Sequence, residues 1–283
     1  MRIAYLVSRD TLPDAPSQRD DADALVRMLD ALVPGFARRG LELVPVAWDA
    51  PDPGAGCDAA LIGTTWDYWE RADAFLTALG SLRIPLFNDL ATVRWNADKR
   101  YLRALADAGV PTIPTAWLEP GERLGGALEA LGAHEVVCKR VVGAGAYQQH
   151  RLTPADVGRA WDVPMMVQPF LPTIVSHGEI SVVFVGGEPS HAVLKRAAAG
   201  DYRIQPLYGG TDAPLDLDGP LLDACRTALA AVPGAPLYAR VDLLPDAAGR
   251  LLVMEVELIE PYLYPAAAPH LGDRLAAALQ GAL

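Results

Sequence analysis

The stretch Tyr238-Ala-Arg-Val-Asp-Leu-Leu244, followed by Pro245-Asp-Ala-Ala-Gly-Arg250 and Leu251-Leu-Val-Met-Glu-Val-Glu-Leu258, reads as two strands joined by a turn. Side chains alternate between the faces of a strand, so Glu255 and Glu257 project the same way, about 7 Å apart. With Leu244 opposite Leu251, Arg240 falls opposite Glu255 and Asp242 opposite Val253, on one face. The other face then holds Val241, Leu243, Leu252, Met254, Val256 and Leu258, all apolar. The register that buries this apolar set therefore gathers Arg240, Asp242, Glu255 and Glu257. Three carboxylates on a half-buried face repel one another and lose hydration unless a cation compensates. A hard divalent ion such as Mg²⁺, completing its shell with phosphate and water, suits such oxygens. The same spacing also fits an ordinary solvent-facing strand on which Arg240 pairs with Glu255.

Outward from this hairpin, the chain has 283 residues, with 51% hydrophobic and 21% charged, the composition of a globular protein of about two domains. Its 35 acidic against 24 basic residues give a formal charge of −11. A surface of that sign disfavours nucleic acid and anionic membranes as partners, though not small phosphorylated ligands, which need only a local cationic pocket. Cys57, Cys138 and Cys225 are scattered and lack CxxC spacing, which argues against a disulfide framework or a zinc site. The apolar run at the start turns charged by Arg9 and Asp10, too soon for a signal peptide. No run of about 20 apolar residues is present to span a membrane. A cytoplasmic protein is expected, with self-association left open.

The first ninety or so residues alternate strand and helix: strands at Ile3–Val7, Leu41–Ala47, Ala59–Ile62 and Ile84–Phe87, helices around Leu25–Phe36 and Ala72–Leu79. This predicts a small open parallel sheet, with ligands near the C-terminal strand ends. Ser8-Arg9-Asp10 and Gly63-Thr64-Thr65-Trp66-Asp67-Tyr68 fall at such ends. A helix is then expected over Ala97–Ala108, an extended run over Val110–Trp117, a helix over Leu124–Leu131 and a strand over Glu135–Val142. A helix should begin at Thr153-Pro154 and run to Ala160. Strands dominate from Met165: Met165–Phe170, Ile180–Val185, His191–Lys195 and the hairpin, with helices at Leu221–Ala231 and Leu271–Leu283. Ala197–Asp218, rich in Gly, Asp and Pro, is expected to be a long loop.

Arg-x-Asp followed thirteen residues after the Asp by Glu-x-Glu (Arg240, Asp242, Glu255, Glu257) resembles the C-terminal signature of the ATP-grasp superfamily. Trp95-Asn96-Ala-Asp98-Lys99-Arg-Tyr101-Leu, the Thr64–Tyr68 stretch and Glu257-Leu-Ile-Glu260-Pro261 look like the bacterial branch that includes D-cycloserine synthetase. The resemblance covers nearly the whole chain and is carried by the order of the pieces. It implies an α/β (α+β) protein with the ATP-grasp fold. A Rossmann-like pre-ATP-grasp substrate domain would span 1–95, a small lid subdomain 96–164 and a C-terminal antiparallel-sheet catalytic subdomain 165–283.

Carried over by position, Lys99 and Lys139 look like the lysines that hold ATP phosphates. A lysine inside an apolar strand, as at Val136-Val-Cys-Lys139, would point its charge into a cleft, whereas Lys99 on a helix could equally be solvated. Gly143-Ala-Gly145-Ala is similar to the loop that closes over the triphosphate, where missing side chains let backbone N–H groups approach; a plain turn fits as well. Met166–Leu171 resembles the strand that reads adenine near Gln168 and Leu171, and Glu179 matches the residue that takes the ribose hydroxyls. Arg196 and Arg203 look like arginines that grip the transferred phosphate, or surface ion pairs. Gly209 and Gly210 would belong to a segment folding over substrate. Arg9, Trp66, Asp67 and Tyr68 are candidate substrate contacts, with interface packing the alternative for Trp66 and Tyr68. Glu257 departs from the Asn of many ATP-grasp ligases.

The resemblance implies an ATP- and Mg²⁺-dependent carboxylate–amine ligase or cycloligase that releases ADP and phosphate, as in amino-acid or antibiotic biosynthesis. A substrate oxygen attacks the γ-phosphate and an amine then displaces phosphate, with Arg240 stabilising the oxyanion beside the metal held by Asp242, Glu255 and Glu257. Its substrate would be a small molecule of amino-acid or peptide type, O-ureidoserine among the candidates. A nucleotide-binding regulatory or scaffold homologue without turnover is the alternative. A dinucleotide-binding Rossmann enzyme is disfavoured, because no glycine phosphate loop follows the first strand.

Overall fold

The computed structural model describes residues 1–205 and 208–283. Strands β1 (Arg2–Val7), β2 (Glu42–Ala47), β3 (Ala59–Ile62) and β4 (Leu86–Phe87) form a parallel sheet in the order β2-β1-β3-β4. Helix α1 (Asp23–Arg38) crosses between β1 and β2, and α2 (Ala72–Ser81) between β3 and β4. Ile3, Tyr5, Leu61, Leu25, Leu32 and Phe36 are buried on the α1 side, and Ala4, Leu6, Ile62, Trp48 and Phe75 on the α2 side. Strands covered on both faces need no polar alternation, which is why these read as continuous apolar runs.

Helix α3 (Leu90–Ala97), capped by Asp89 accepting from the Thr92 amide at 2.7 Å, leads into α4 (Tyr101–Asp107). The single helix expected over Ala97–Ala108 is therefore broken at residues 98–100. Asp98 is extended and its carboxylate accepts from the Arg100 amide at 2.8 Å, a local bond that competes with helix continuation. Lys99 thus sits on a turn and not on a helix.

Strands β5 (Ala116–Leu118), β6 (Val136–Arg140), β7 (His150–Leu152) and β8 (Met165–Pro169) form an antiparallel sheet, β5-β8-β6-β7, backed by α5 (Leu124–Leu131). β8 hydrogen-bonds within this middle sheet, so a boundary at 164/165 would cut the sheet apart. The helix expected from Thr153 is only a 3₁₀ turn at Pro154–Asp156. The Val157 and Arg159 carbonyls instead accept from the Gly125 and Leu124 amides, at 3.1 and 2.9 Å, satisfying free N–H groups at the start of α5.

The third sheet is antiparallel, β11-β10-β9-β12-β13. Its strands are β9 (Glu179–Val185), β10 (Glu188–Arg196), β11 (Thr211–Leu215), β12 (Tyr238–Pro245) and β13 (Leu251–Glu257). The short α6 (Thr173–Ser176) precedes it, α7 (Gly219–Ala230) packs on one face, and α8 (Leu271–Ala282) packs against α1. The expected loop over Ala197–Asp218 contains β11, an exposed edge strand bearing Asp212 and Pro214; residues 206 and 207 of that loop lie outside the described residues.

The hairpin register differs by two residues from the one expected. Arg240 stands opposite Glu257, Asp242 opposite Glu255 and Leu243 opposite Val253, with a bulge at Met254. A shift of two keeps Arg240, Asp242, Glu255 and Glu257 on one face. The extra residue exchanges faces beyond the bulge. Val253 joins the core of Val241, Leu243 and Val256. Leu252 and Met254, expected there too, instead pack with Leu244, Ile113 and Ile204.

The outer edge of β13 is covered rather than open. Val256 N donates to the Tyr101 hydroxyl at 2.9 Å, and the Asn96 side chain bonds Val256 O and Leu258 N at 2.7 and 2.9 Å. Val253 N donates to Pro111 O and Ile113 N to Val253 O. The Trp95–Tyr101 motif is thus the clamp that fixes the carboxylate strand.

Candidate active site

The polar face of the third sheet assembles by strand alternation. Glu179 and Ser181 come from β9, Lys195 from β10, Arg240 and Asp242 from β12, and Glu255 and Glu257 from β13; Lys195 pairs with Glu179 and Ser181 with Asp242 in the ladder. Arg240 donates to Asp242 from Nε and Nη2, at 3.0 and 2.8 Å, to Glu257 from Nη2, and to Tyr262 O from Nη1 at 3.1 Å. Burial alone would raise the Asp242 carboxyl, but Arg240, Lys195 and the Ser181 hydroxyl hold it well below the usual carboxylate range. Among the described residues Glu257 has only Arg240 as a partner; burial and the neighbouring Asp242 and Glu255 push it up to about 7. Glu179, expected to face ribose hydroxyls, is instead buried and ion-paired with Lys195.

Two lysines from outside this sheet meet it. The 98–100 turn is pinned by Lys99 N donating to Val141 O at 3.0 Å, and the Lys99 ammonium pairs with Glu255. Burial and Glu255 act oppositely on Lys99, and the carboxylate wins, so its pKa is raised. Lys139, on β6, is depressed by burial with Glu255 opposing. Among the described residues it has no carboxylate within 4.0 Å, the arrangement of an ammonium facing a cleft.

The N-terminal loops close the site from the other side. Asp67 accepts from Ser8 Oγ, from Trp48 Nε1 at 2.7 Å and from Arg71 at 3.2 Å, so its carboxylate braces the loop. Arg9 faces outward and pairs with Asp49 at 2.8 Å. Trp66 donates from Nε1 to Glu260 O at 3.0 Å and lies edge-on to Tyr262. Tyr68 is core packing against Phe75, with its phenol raised by burial and by Glu260, Glu255 and Glu257. The Asp10 Oδ1, Thr64 Oγ1 and Thr65 Oγ1 atoms are buried here without a partner.

The remaining expected residues make local contacts of their own. Gln168 is buried on β8 and donates to Thr115 Oγ1 at 3.1 Å, while Leu171 joins the Ile113–Leu252 cluster. Gly143 and Gly145 lie in a turn in which Gly145, Ala146 and Gln148 adopt positive φ. Tyr147 of that turn stacks on Trp69, 4.6 Å between ring centroids, and Arg140 lies over the same indole. Arg196 donates to His177 O and Arg203 pairs with Asp201, so neither reaches the carboxylates. Gly209 has φ +78°, and a Cβ on Gly210 would fall 2.0 Å from Ile204 O, so that segment folds tightly on itself.

Three participants were not expected from the sequence. Ser181 and Lys195 gave no such signal, and only the pairing of β9 with β12 and of β10 with β9 brings them to Asp242. Glu260 lies just beyond β13; its carboxyl is pushed up to about 8 by burial and by Glu257, and it has no ion-pair partner among the described residues. A trace existed in the Glu-x-Glu-x-x-Glu spacing. Among the described residues no three His, Cys, Asp or Glu side chains converge closely enough to enclose an ion. The donor set nevertheless suits Mg²⁺: Asp242 faces Glu255 across the strands, and Glu257 joins them on the same face. Lys99 and Arg240 occupy those oxygens in this arrangement.

Among the described residues no helix is long and apolar enough to cross a membrane. Residues 3–88 match the family described as the D-cycloserine synthetase DcsG N-terminal domain. The chain is 31% identical over 229 residues to the cycloserine biosynthesis protein DcsG of Streptomyces lavendulae, covering 73% of this chain and 77% of that protein. The solved structure of D-cycloserine synthetase DcsG is similar with a TM-score of 0.84 and 26% identity, over 100% of this chain and 99% of that one. D-alanine–D-alanine ligase from Bacillus anthracis shares the fold, with a TM-score of 0.71 at 19% identity over 99% and 95% of the two chains.

Proposed function

This chain belongs to the family of the cycloserine biosynthesis protein DcsG, within the ATP-grasp ligases, and on that premise we propose how its residues form a C–N bond or close a ring on a small amino-acid-type substrate at the expense of ATP. The observation that carries the proposal is the meeting of Lys99 and Lys139 with Glu255 and Asp242, cations from the 98–100 turn and the middle sheet set against carboxylates of the third. Such a site works by positioning and by neutralising charge on phosphate oxygens. Lys139, half-buried and, among the described residues, without a carboxylate partner, gains most from an anionic triphosphate. Lys99 passes from Glu255 to phosphate, which releases Glu255. Asp242, Glu255 and Glu257 would hold Mg²⁺, which would neutralise charge on the phosphate oxygens.

Arg240, its guanidinium fixed by Asp242, Glu257 and the Tyr262 carbonyl, stabilises the oxyanion without reorganising. Gln168 and Leu171 border the adenine, and Gly143 and Gly145 give the phosphates access to backbone amides. Arg196 and Arg203, held by a carbonyl and by a partly exposed carboxylate, exchange those partners for the transferred phosphate, with Gly209 and Gly210 turning the same segment over the substrate. Trp66 walls the substrate space, which is cytoplasmic in setting. No observation favours a scaffold without turnover.

Glu255→Gln tests the proposal. Phosphate release with ATP, Mg²⁺ and O-ureidoserine should fall by about 10²-fold or more while the circular dichroism spectrum is kept. Undiminished ATP consumption in that variant would refute the assignment.

A further inference from the structure

The turn over residues 143–149, which carries Gly143 and Gly145, also carries Tyr147, 50% exposed. Two backbone bonds close it, from Tyr147 N to Ala144 O at 3.2 Å and from Gln149 N to Ala146 O at 3.1 Å. Ala146 and Gln148, on either side of Tyr147, have φ +59° and +52°. Left-handed backbone is costly for residues with a Cβ and persists where the surroundings hold it.

The hold comes from a different sheet. Trp69 lies in the 3₁₀ turn Tyr68–Arg71, directly after the Thr64–Tyr68 stretch, and packs against the N-terminal core of Tyr68, Phe75 and Leu79. The Tyr147 ring lies 4.6 Å from its indole between centroids, tilted by 31°, and the Arg140 guanidinium stands 5.2 Å from the same ring. A Cβ on Gly143 would meet the Arg140 Cβ at 3.2 Å, so the first residue of the turn rests on the arginine stem. The Arg140 Nε is buried without a hydrogen-bond partner among the described residues, so the guanidinium owes its place to the indole. Trp69 and Arg140 also line a cleft of about 370 Å³ that separates the start of α2 from the end of β6 and from residues 163 and 164. Packing does not fill the seam there; the indole bridges it.

We propose that Trp69 and Tyr147 are positioning residues for the nucleotide: the indole of the N-terminal domain fixes the 143–149 turn in the shape that presents its backbone amides to the phosphates. The assignment rests on the ligase function proposed above. In this role neither ring touches the phosphates, and each acts through the backbone between them. Without the stack the strained turn relaxes, fewer molecules present the amides, and apparent affinity falls by that fraction.

ADP with Mg²⁺ is the probe, its Kd read by calorimetry and the order of the turn by hydrogen exchange of the 143–149 amides in the ADP complex. Tyr147→Ala should weaken ADP by about threefold to tenfold, the range of one aromatic pair, and speed that exchange. Tyr147→Phe, which keeps the ring, should stay near wild type. Tyr147 is half exposed, so neither change opens a cavity. Trp69→Leu should reproduce the loss, and adding Tyr147→Ala to it should cost nothing more, because the partner ring is already gone. Additive losses would mean that Tyr147 meets the nucleotide by itself, and they overturn the proposal. Unchanged ADP affinity in Tyr147→Ala overturns it too, as does weaker affinity without faster exchange. Each of these outcomes leaves the ligase function standing, whereas a wild type that binds no ADP removes that function and this role together.

Discussion

Lys139 and His191 show how much a single titratable group reveals once its surroundings are known. Lys139 read as a cleft lysine from its apolar strand; it is half-buried on β6 and, among the described residues, has no carboxylate within 4.0 Å. Lys139→Ala should weaken nucleotide binding by about tenfold or more by calorimetry, since a desolvated ammonium opposite phosphate is a strong contact. Unchanged affinity would contradict the cleft. His191 donates from Nε2 to Leu263 O at 2.8 Å, and burial lowers its pKa, with the Leu263 carbonyl opposing and Arg274 assisting. Above about pH 6.5 the imidazole is neutral in both states and the fold keeps its full stability. As pH falls through that value the unfolded chain binds the proton first, so His191 lowers stability until its folded pKa is passed. Glu257 and Glu260, with raised pKa values, act in the opposite sense over the same range. The measurement is therefore the difference between wild type and His191→Gln in unfolding free energy by denaturant titration from pH 7.5 to 5, expected to change by up to about 1.4 kcal/mol per pH unit. The carboxylates of the hairpin were legible because strand alternation is a local rule. Arg240 shared that legibility, but the pairing of Lys99 did not, because Lys99 lies 156 residues from Glu255 in the chain.

Most elements were legible as well, since α1, β3 and α5 show their period or apolar run directly. The exceptions share a cause: a nearby polar group captures the backbone. Asp98 and Val141 take the amides that would have continued a helix through Lys99, and residues 157–159 give their carbonyls to α5. The bulge at Met254 has no signature in a run of alternating residues, so the register was misplaced while the face survived. Helices α1 and α8 approach through glycine: a Cβ on Gly35 would fall 2.2 Å from the Gly272 carbonyl carbon, and one on Gly272 would meet Ala31 O at 2.5 Å. Gly35→Ala should cost about 3 kcal/mol or more by denaturant unfolding, because backbone atoms cannot yield. Gly281→Ala, in open space on α8, is the control and should leave stability unchanged or slightly raised.

At the scale of the whole molecule, three sheets are held together by a few polar side chains at their seams. Asn88 is buried beside β4; it donates to Tyr238 O and Leu258 O at 2.9 and 2.8 Å and accepts from Leu237 N at 2.6 Å. Asn88→Ala would leave these buried backbone groups without partners, at about 1–3 kcal/mol each. It should lower the melting temperature and expose the joint between the N-terminal sheet and β12 to proteolysis; an unaltered digestion pattern would assign the joint to apolar packing instead. Such seams are invisible in a sequence, where Asn88 and Asn96 look like any surface amide. The cover that Asn96, Tyr101 and the 111–113 backbone lay over β13 has a further consequence. At the far end of the same sheet β11 is short and exposed and bears Asp212 and Pro214, residues that discourage a neighbouring strand. Neither end of the catalytic sheet offers a free ladder on which another chain can template itself, so the fold that concentrates buried charge at its centre is also guarded against edge-to-edge aggregation.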